Sequence, residues 1–221
     1  MIDVMDPARF ATMRHAMVAS QLRTSGVNDP RVIEAMAAVP REAFLPEDLR
    51  GLAYRDTGVP LPGGRRLNPP LATGRLLTEA VLDPADKVLL IGAAGGYTAA
   101  VLARLVATVV AVETDPTLAA FARGALAAEA NVTVVEGPLE GGAPEHAPYD
   151  VLFVDGAVEA IADALVHQVA PGGRAVAGLV DRGVTRLAGG RRTGGGFRMV
   201  DFADVDCAIL PGFARPKSFT F

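Results

Sequence analysis

From about Leu71 onward, short apolar runs alternate with segments in which apolar residues recur every three or four positions. The runs are almost continuously apolar, which predicts strands buried on both faces of a parallel sheet, and the intervening segments predict helices covering those faces. The predicted strands span residues 87–91, 108–112, 132–135, 151–154 and 175–179, and the predicted helices span residues 98–107, 116–130 and 159–169. Residues 185–187 and 197–210 predict a terminal antiparallel hairpin that completes the sheet.

The region before the predicted sheet begins with helical periodicity. Asp6 is placed to cap a first helix, with Pro7 in its first turn, and Gly26 is placed to end that helix. A second helix is predicted to begin at Asp29–Pro30 and to end by Pro40. We therefore expect a helical region in front of the α/β core.

A proline-rich loop is predicted between the helices and the core. Residues 58–70 hold four of the 16 prolines and three glycines, which favours an ordered but irregular loop. Gly63–Gly64 could serve as a hinge that lets the loop cover a ligand cleft. The expected organisation is residues 1–70 as helices and substrate loop, packed on a core of residues 71–221.

Composition excludes several classes of protein. The chain has 221 residues, of which 50% are hydrophobic, and a net charge of −4, which predicts one main core and argues against binding polyanionic nucleic acid or membranes. Cys207 is the only cysteine, so an intramolecular disulfide and a multi-cysteine zinc site are excluded, and a buried thiol is expected. We find no metal-ligand spacing at His15, His146 or His167. The N-terminus lacks a secretory pattern, and no apolar run reaches the roughly 20 residues of a membrane span, which together predict a cytoplasmic protein.

Candidate chemistry begins where the first core strand runs into Gly92–Tyr97 and a helix. Small residues there let the backbone approach a ligand, and the helix N-terminus offers free N–H groups. Glu113 follows 21 residues after Gly92, at the tip of the next strand, where an acid can accept both ribose hydroxyls of a nucleoside cofactor. Two alternatives stay open: a tight turn that needs small residues only for packing, and a helix cap at Glu113 for the helix starting at Pro116.

The sequence favours a methyl donor over a nicotinamide cofactor. About 85 residues precede the first core strand, and the loop reads G-A-A-G-G-Y, whereas nicotinamide enzymes usually start with this strand and use G-x-G-x-x-G. Residues 170–174, A-P-G-G-R, are similar to a turn common in S-adenosylmethionine-dependent methyltransferases.

A more specific likeness covers most of residues 20–180. The residues that carry it are Leu22, Arg23, Gly26, Val27, Asp29, Val32, Ala35, Met36, Val39, Pro40, Arg41, Glu42, Phe44, Pro46, Tyr54, Asp56, Pro60, Leu61, Val88, Leu89, Gly92, Gly96, Tyr97, Ala100, Leu102, Ala103, Val112, Glu113, Tyr149, Asp150, Gly172 and Gly173. In this pattern the chain resembles the protein-L-isoaspartate (D-aspartate) O-methyltransferases. The resemblance implies a Rossmann-like, doubly wound α/β sheet with N-terminal helices over the cofactor cleft.

The resemblance also implies chemistry and site residues. The implied reaction moves a methyl group from S-adenosylmethionine to the α-carboxylate of an L-isoaspartyl residue, so the implied partners are isoaspartyl peptides or proteins. The implied cofactor-binding residues are Gly92, Ala93, Ala94, Gly96, Tyr97, Glu113, Pro138, Leu139 and Asp155. Asp155 has two readings, one as a residue that lines the cleft and one as a cap of the following helix.

Several positions depart from the family pattern. Leu90 replaces an acid two residues before the first glycine, and Gly137–Leu139 replaces G-D-G, so polar contacts to the cofactor are expected to be lost. Ala94 replaces a glycine, and its added methyl group is expected to crowd the amino-acid end of the ligand. Asn68 stands where the family has the serine placed at the reacting carboxylate. Asn68 is therefore the expected catalytic-site residue, with a longer amide that can still donate a hydrogen bond to a carboxylate.

Three other hypotheses remain open at this stage. Arg65–Arg66 could attract a carboxylate-bearing peptide, although exposed arginine pairs usually face solvent. The departures at Leu90, Ala94, Pro138 and Asn68 would also suit a degenerate, non-catalytic peptide- or protein-binding module. A methyltransferase with a changed acceptor is the third hypothesis.

Overall fold

In the computed structural model, which describes residues 6–214, a seven-stranded sheet forms the centre of the described chain. Its strands are β3 (Lys87–Ile91), β4 (Thr108–Glu113), β5 (Val132–Glu136), β6 (Tyr149–Val158), β7 (Val169–Asp181), β8 (Val184–Thr193) and β9 (Gly196–Ala203). Two earlier strands, β1 (Val59–Pro60) and β2 (Arg66–Leu67), form a separate two-stranded sheet. The strand order in the sheet is β5-β4-β3-β6-β7-β8-β9. The first five strands of this order pair in parallel, and β8 and β9 extend the sheet with antiparallel pairing. The predicted α/β, Rossmann-like doubly wound fold is confirmed.

The helices cover both faces of this sheet. They are α1 (Pro7–Met17), α2 (Pro30–Ala38), α3 (Pro70–Glu79), α4 (Tyr97–Ala103), α5 (Pro116–Ala125) and α6 (Asp163–Gln168). Successive residues of β3 point to opposite faces: Val88 and Leu90 join one apolar cluster, and Leu89 and Ile91 join the other. Burial on both sides explains why the strands read as continuous apolar runs.

The N-terminal helices follow the expected start and stop signals. The Asp6 side chain accepts the Ala8 N–H at 3.0 Å, and α2 begins at Pro30 behind its cap Asp29. The first helix is less regular than predicted, because α1 continues through a π-helical turn and a short 3-10 turn. Gly26 then ends it with φ +86°, in the left-handed region that favours glycine.

The predictions for the proline-rich loop and for the end of the terminal hairpin are wrong. The proline-rich loop contains a small antiparallel hairpin, β1 with β2, in which Val59 pairs with Leu67. At the other end of the chain, β9 stops at Ala203, so residues 207–210 do not belong to the terminal hairpin. This return segment, as we call residues 207–210, runs beside the end of β6, where the Ala157 N–H donates to the Ala208 carbonyl at 2.7 Å.

Helix ends in the core also shift from the predicted bounds. α5 stops at Ala125, about one turn earlier than predicted, and α6 begins at Asp163 because β6 extends to Val158. None of the helices in the described residues is long and apolar enough to cross a membrane.

Candidate functional site

The order of the strands reverses between β3 and β6, and this reversal sets the position of the candidate site. β3 connects toward β4 and β5 on one side, whereas β6 connects toward β7 on the other. In such sheets, ligands bind in the crevice outside the carboxyl ends of the strands at the switch. The structure brings the predicted glycine loop, Glu113 and Asp155 together at this edge, since the loop follows β3, Glu113 ends β4 and Asp155 lies in the C-terminal half of β6.

The loop between β3 and α4 adopts the tight conformation that its small residues predict. Gly92 and Gly96 have φ values of +86° and +99°, and Ala94 is also left-handed, with φ +48°. A Cβ at Gly95 would lie 2.1 Å from the Phe44 carbonyl oxygen, so the N-terminal region packs directly on this loop. Ala94 carries backbone strain of about 1–2 kcal/mol that the family glycine would avoid.

Glu113 is a fully buried carboxylate at the tip of β4. Its Oε1 accepts the N–H groups of Thr114 and Asp115 at 2.9 and 3.1 Å, and its Oε2 accepts the Ala94 N–H at 2.7 Å. The alternative of Glu113 as a helix cap is wrong, because Asp115 caps α5 by accepting the Thr117 and Leu118 N–H groups.

Arg65 completes the surroundings of Glu113. Its Nε donates to Oε1 and its Nη2 to Oε2, both at 3.0 Å, with side-chain exposures of 3% for Arg65 and 0% for Glu113. Burial alone would raise the pKa of Glu113, but Arg65 and the N–H groups of Asp115 and Ala94 together lower that pKa below its ordinary 4.5. The carboxylate is therefore ionised at neutral pH.

Sequence reasoning missed this role of Arg65. The structure separates the Arg65–Arg66 pair: Arg65 is buried, whereas Arg66 is exposed and donates to the Gly58 carbonyl. Alternation along an extended segment turns neighbouring side chains in opposite directions, and that was the available signal.

Asp155 is the second buried carboxylate of this edge, at 5% exposure. Its Oδ1 accepts Nδ2 of Asn68 at 2.8 Å and the hydroxyl of Thr73 at 3.1 Å, and its Oδ2 accepts the hydroxyl of Thr98. Asp155 lies inside β6, and the cap position of α6 is Ala162, so the helix-cap reading of Asp155 is wrong. Its donors come from the proline-rich loop, α3 and α4.

Asn68 lies in the floor of the site and is 1% exposed. Besides donating to Asp155, it accepts the Ala208 N–H through Oδ1 at 2.7 Å. The amide therefore connects the proline-rich loop, β6 and the return segment, with bonds at both of its ends.

Tyr97, the first residue of α4, faces the N-terminal region. Its ring makes an edge contact with Phe44 at 6.0 Å between centroids, and the guanidinium carbon of Arg41 lies 4.6 Å from its centroid. Burial raises the pKa of Tyr97 to about 12, although the charge of Arg41 acts in the opposite direction. Tyr97 is thus a neutral phenol at pH 7, and its hydroxyl has no hydrogen-bond partner among the described residues.

The remaining predicted positions differ in exposure. Ala93 and Ala94 are 1% and 2% exposed, Pro138 is exposed, and Leu139 is buried in the apolar cluster that contains Leu89 and Ile91. Their contact with a cofactor stays a prediction. Leu90, where the family carries an acid, is fully buried in the opposite cluster.

The return segment closes the crevice from the other side. A Cβ at Gly92 would lie 3.1 Å from Cδ2 of Leu210, and a Cβ at Gly156 would lie 2.6 Å from Cγ of the same leucine. Leu210 thus fills the space between the ends of β3 and β6. Next to it, Cys207 is buried as expected, and burial, followed by the nearby charges of Asp155 and Asp206, raises the pKa of its thiol.

Residues 6–214 contain no competing metal centre, and a groove in them lies away from the sheet edge. No group of three or more His, Cys, Asp and Glu side chains is arranged to hold a metal ion there. A groove of about 1070 Å³ lies between α1 and α2, lined by residues that include Arg14, His15, Val18 and Ile33. This groove lies on the N-terminal helices, whereas Glu113, the buried carboxylate whose pKa is lowered, lies at the edge of the sheet.

Known proteins match most of the chain. The family model described as protein-L-isoaspartate (D-aspartate) O-methyltransferase matches residues 13–203. A Rhodopseudomonas palustris protein-L-isoaspartate O-methyltransferase 1 is 40% identical over 211 residues, covering 94% of this chain and 86% of that protein. A Synechococcus sp. protein of the same activity name is 44% identical over 176 residues, covering 79% of this chain and 71% of that protein.

Solved structures show the same fold. A protein-L-isoaspartate O-methyltransferase aligns with a TM-score of 0.77 at 24% identity over 90% of this chain and 66% of its own. A Plasmodium falciparum structure of that family name, in complex with S-adenosyl-L-homocysteine, aligns with a TM-score of 0.73 at 18% identity, covering 89% of this chain and 97% of its own. With the family model and relatives at 40% identity or more, the resemblance found in the sequence is confirmed: the chain belongs to the protein-L-isoaspartate (D-aspartate) O-methyltransferase family.

Proposed function

We propose that this protein is an S-adenosylmethionine-dependent methyltransferase that acts on the α-carboxylate of L-isoaspartyl residues in peptides and proteins. The observation that carries the proposal is the buried, ionised Glu113 at the tip of β4, beside a left-handed glycine loop at the switch point of the sheet. Membership of the family supplies the acceptor.

Glu113 and the glycine loop have the chemistry to hold a nucleoside cofactor once Glu113 is available to it. A carboxylate can accept both hydroxyls of a ribose, and Glu113 is held in place by three backbone N–H groups. Gly92 and Gly96 allow the close backbone approach that such a ligand needs. When bound, S-adenosylmethionine supplies an activated methyl group on sulfur.

The chain's own residues would then bind and align the reactants. An acceptor carboxylate is already ionised at pH 7, so methyl transfer to it needs alignment more than a general base. Asn68 is our proposed positioning residue for that carboxylate, and Asp155 fixes its amide through a 2.8 Å bond. The Pro-rich loop and the return segment cover the site and exclude water.

The first experiment is calorimetric titration with S-adenosylhomocysteine. We expect binding by the wild type and a loss of about 2–4 kcal/mol in Glu113→Ala, since two hydrogen bonds to a charged group are removed. Glu136→Ala is the matched control, because Glu136 pairs with Glu113 in the strand register but is exposed at the end of β5. No heat at millimolar ligand from either the wild type or Arg65→Ala, which leaves Glu113 without its arginine partner, would overturn the cofactor. Equal affinities of the wild type and Glu113→Ala would overturn only the role of Glu113.

A radiolabelled-methyl assay on an isoaspartyl peptide tests the acceptor. From the altered positioning group we expect slow transfer by the wild type and faster transfer by Asn68→Ser, with the matched aspartyl peptide as the control substrate. Cofactor binding without transfer to any isoaspartyl peptide, in either protein, would favour a changed acceptor or a non-catalytic binding module. The observation that favours these alternatives is the Asn68 amide, which is already hydrogen-bonded to Asp155 and Ala208.

The cellular setting follows from charge and thiol chemistry. With a net charge of −4 and one buried cysteine, we place the protein in the reducing cytoplasm, acting on peptides and proteins and not on nucleic acid or membranes. Fractionation of cells that express the full chain tests this placement.

A further inference from the structure

The carboxylate of Glu113, the proposed ribose acceptor, already has all its hydrogen-bonding positions occupied by groups of the protein. Arg65 forms a side-on, two-point pair with Glu113, at 3.0 Å for each bond. Together with the N–H groups of Ala94, Thr114 and Asp115, these bonds exhaust the roughly four lone-pair positions of a carboxylate. Two ribose hydroxyls cannot be added while Arg65 stays in place.

Arg65 also fills space over the glycine loop. Its Nη2 lies 3.4 Å from the position that a Cβ would take at Gly92, on the side where Leu210 approaches the same glycine. The guanidinium therefore occupies the crevice at the end of β3 as well as the acid at the end of β4. A ligand that reaches Glu113 must displace it.

The segment that carries Arg65 is a short hairpin with an exposed turn. Arg65 follows an exposed turn, Pro62–Gly64, between strands of only two residues each. Gly63 has φ +66° and a Cβ there would lie 2.1 Å from Oδ2 of Asp115, so the turn touches the loop that follows Glu113. The hairpin thus contacts both Glu113 and Asp115, and opening of the hairpin would break both contacts together.

The closed pair is also incompletely satisfied. Nη1 of Arg65 is buried and has no hydrogen-bond partner among the described residues. An unpaired buried donor costs free energy, and desolvation offsets much of the attraction in a buried ion pair. Both effects reduce the net advantage of the closed arrangement over an open one, and a ligand has to supply the remaining difference.

On this basis we propose that Arg65 is an affinity-determining latch, which competes with the ribose of the cofactor for Glu113 and ties cofactor binding to opening of the β1–β2 hairpin. The inference rests on the proposed function, since it takes Glu113 as the ribose acceptor. The latch differs from the prediction that the proline-rich loop closes over a bound ligand, because here the loop is closed before a ligand binds.

The test is S-adenosylhomocysteine binding by Arg65→Ala, Arg66→Ala and the wild type, measured by calorimetry and by surface plasmon resonance. Arg65→Ala should bind at least about tenfold more tightly, with the gain in the association rate, because the open state no longer has to be populated first. Arg66→Ala removes an equal charge from the exposed neighbour and should match the wild type.

The outcomes separate the latch from the proposed function. Binding by Arg65→Ala alone, with none by the wild type, would support the latch in its strongest form. Equal or weaker binding by Arg65→Ala would overturn the latch and leave the cofactor assignment intact. If none of the three proteins binds at millimolar ligand, the cofactor assignment and the latch both fail.

Discussion

Glu113 and Asp155 are two buried carboxylates at the same sheet edge, and they are held in different ways. Glu113 is neutralised by Arg65, a cation on a short hairpin. Asp155 is held by neutral donors, the Asn68 amide and the hydroxyls of Thr73 and Thr98, which lie on separate, well-packed elements. A partner on one small hairpin can be exchanged for a ligand, whereas partners spread over three elements fix the group in place. The comparison indicates an exchangeable partner at Glu113, the proposed cofactor acid, and a rigid network at Asp155, beside the proposed positioning residue Asn68.

The largest effect should come from breaking the rigid side. Asp155→Ala leaves the amide of Asn68 and the hydroxyls of Thr73 and Thr98 without their acceptor, so we expect the free energy of unfolding to fall by about 4 kcal/mol. Urea unfolding followed by circular dichroism measures it, with Asp155→Asn as the isosteric control at about half the loss. A loss below about 1 kcal/mol in Asp155→Ala would contradict a fixed Asp155.

Glu113→Ala should cost less, about 2 kcal/mol of unfolding free energy. Removing one partner of a buried pair is usually more damaging, but here Arg65 can return to water when the hairpin opens. The same urea experiment on Glu113→Ala combined with Arg65→Ala should recover part of the loss. If Glu113→Ala is as damaging as Asp155→Ala, the two sides do not differ in the way described.

Acid should weaken the Glu113–Arg65 side, with a loss of unfolding free energy no larger than that caused by Glu113→Ala. Because the pKa of Glu113 is lowered in the folded protein, its contribution to stability is fully present above the ordinary value of 4.5 and is lost as pH falls further, through the folded pKa. Urea unfolding of the wild type and Glu113→Ala between pH 7 and 3 checks this. The difference between the two proteins should shrink below pH 4.5, and a constant difference would refute the assignment.

The smallest effect concerns the strained loop. Ala94→Gly relieves a left-handed alanine but makes the unfolded chain more flexible, so the two terms nearly cancel and the unfolding free energy should change by less than about 1 kcal/mol. Ala99→Gly, in the buried part of α4, has no strain to relieve and should be clearly destabilising. Thermal unfolding of both variants makes the comparison; equal losses would show that Ala94 is not strained.

Local patterns in the sequence were enough for the sheet, the glycine loop and the acid at β4. Continuous apolar runs specify strands buried on both faces, and the spacing from Gly92 to Glu113 is set by one strand–helix–strand unit. The family resemblance, which is confirmed, came from residues spread over the N-terminal region and these core units. These features depend on near neighbours in the chain, so periodicity and spacing are sufficient to predict them.

The partners of the two carboxylates were decided by the tertiary structure. Arg65 meets Glu113 across 48 positions, Asn68 meets Asp155 across 87, and Asn68 meets Ala208 across 140. The sequence marked Arg65 and Arg66 as an ordinary pair, and it placed residues 207–210 in a hairpin. Which arginine is buried, and where the last segment returns, depends on how distant elements pack around the crevice, because such contacts leave no period or spacing in the chain.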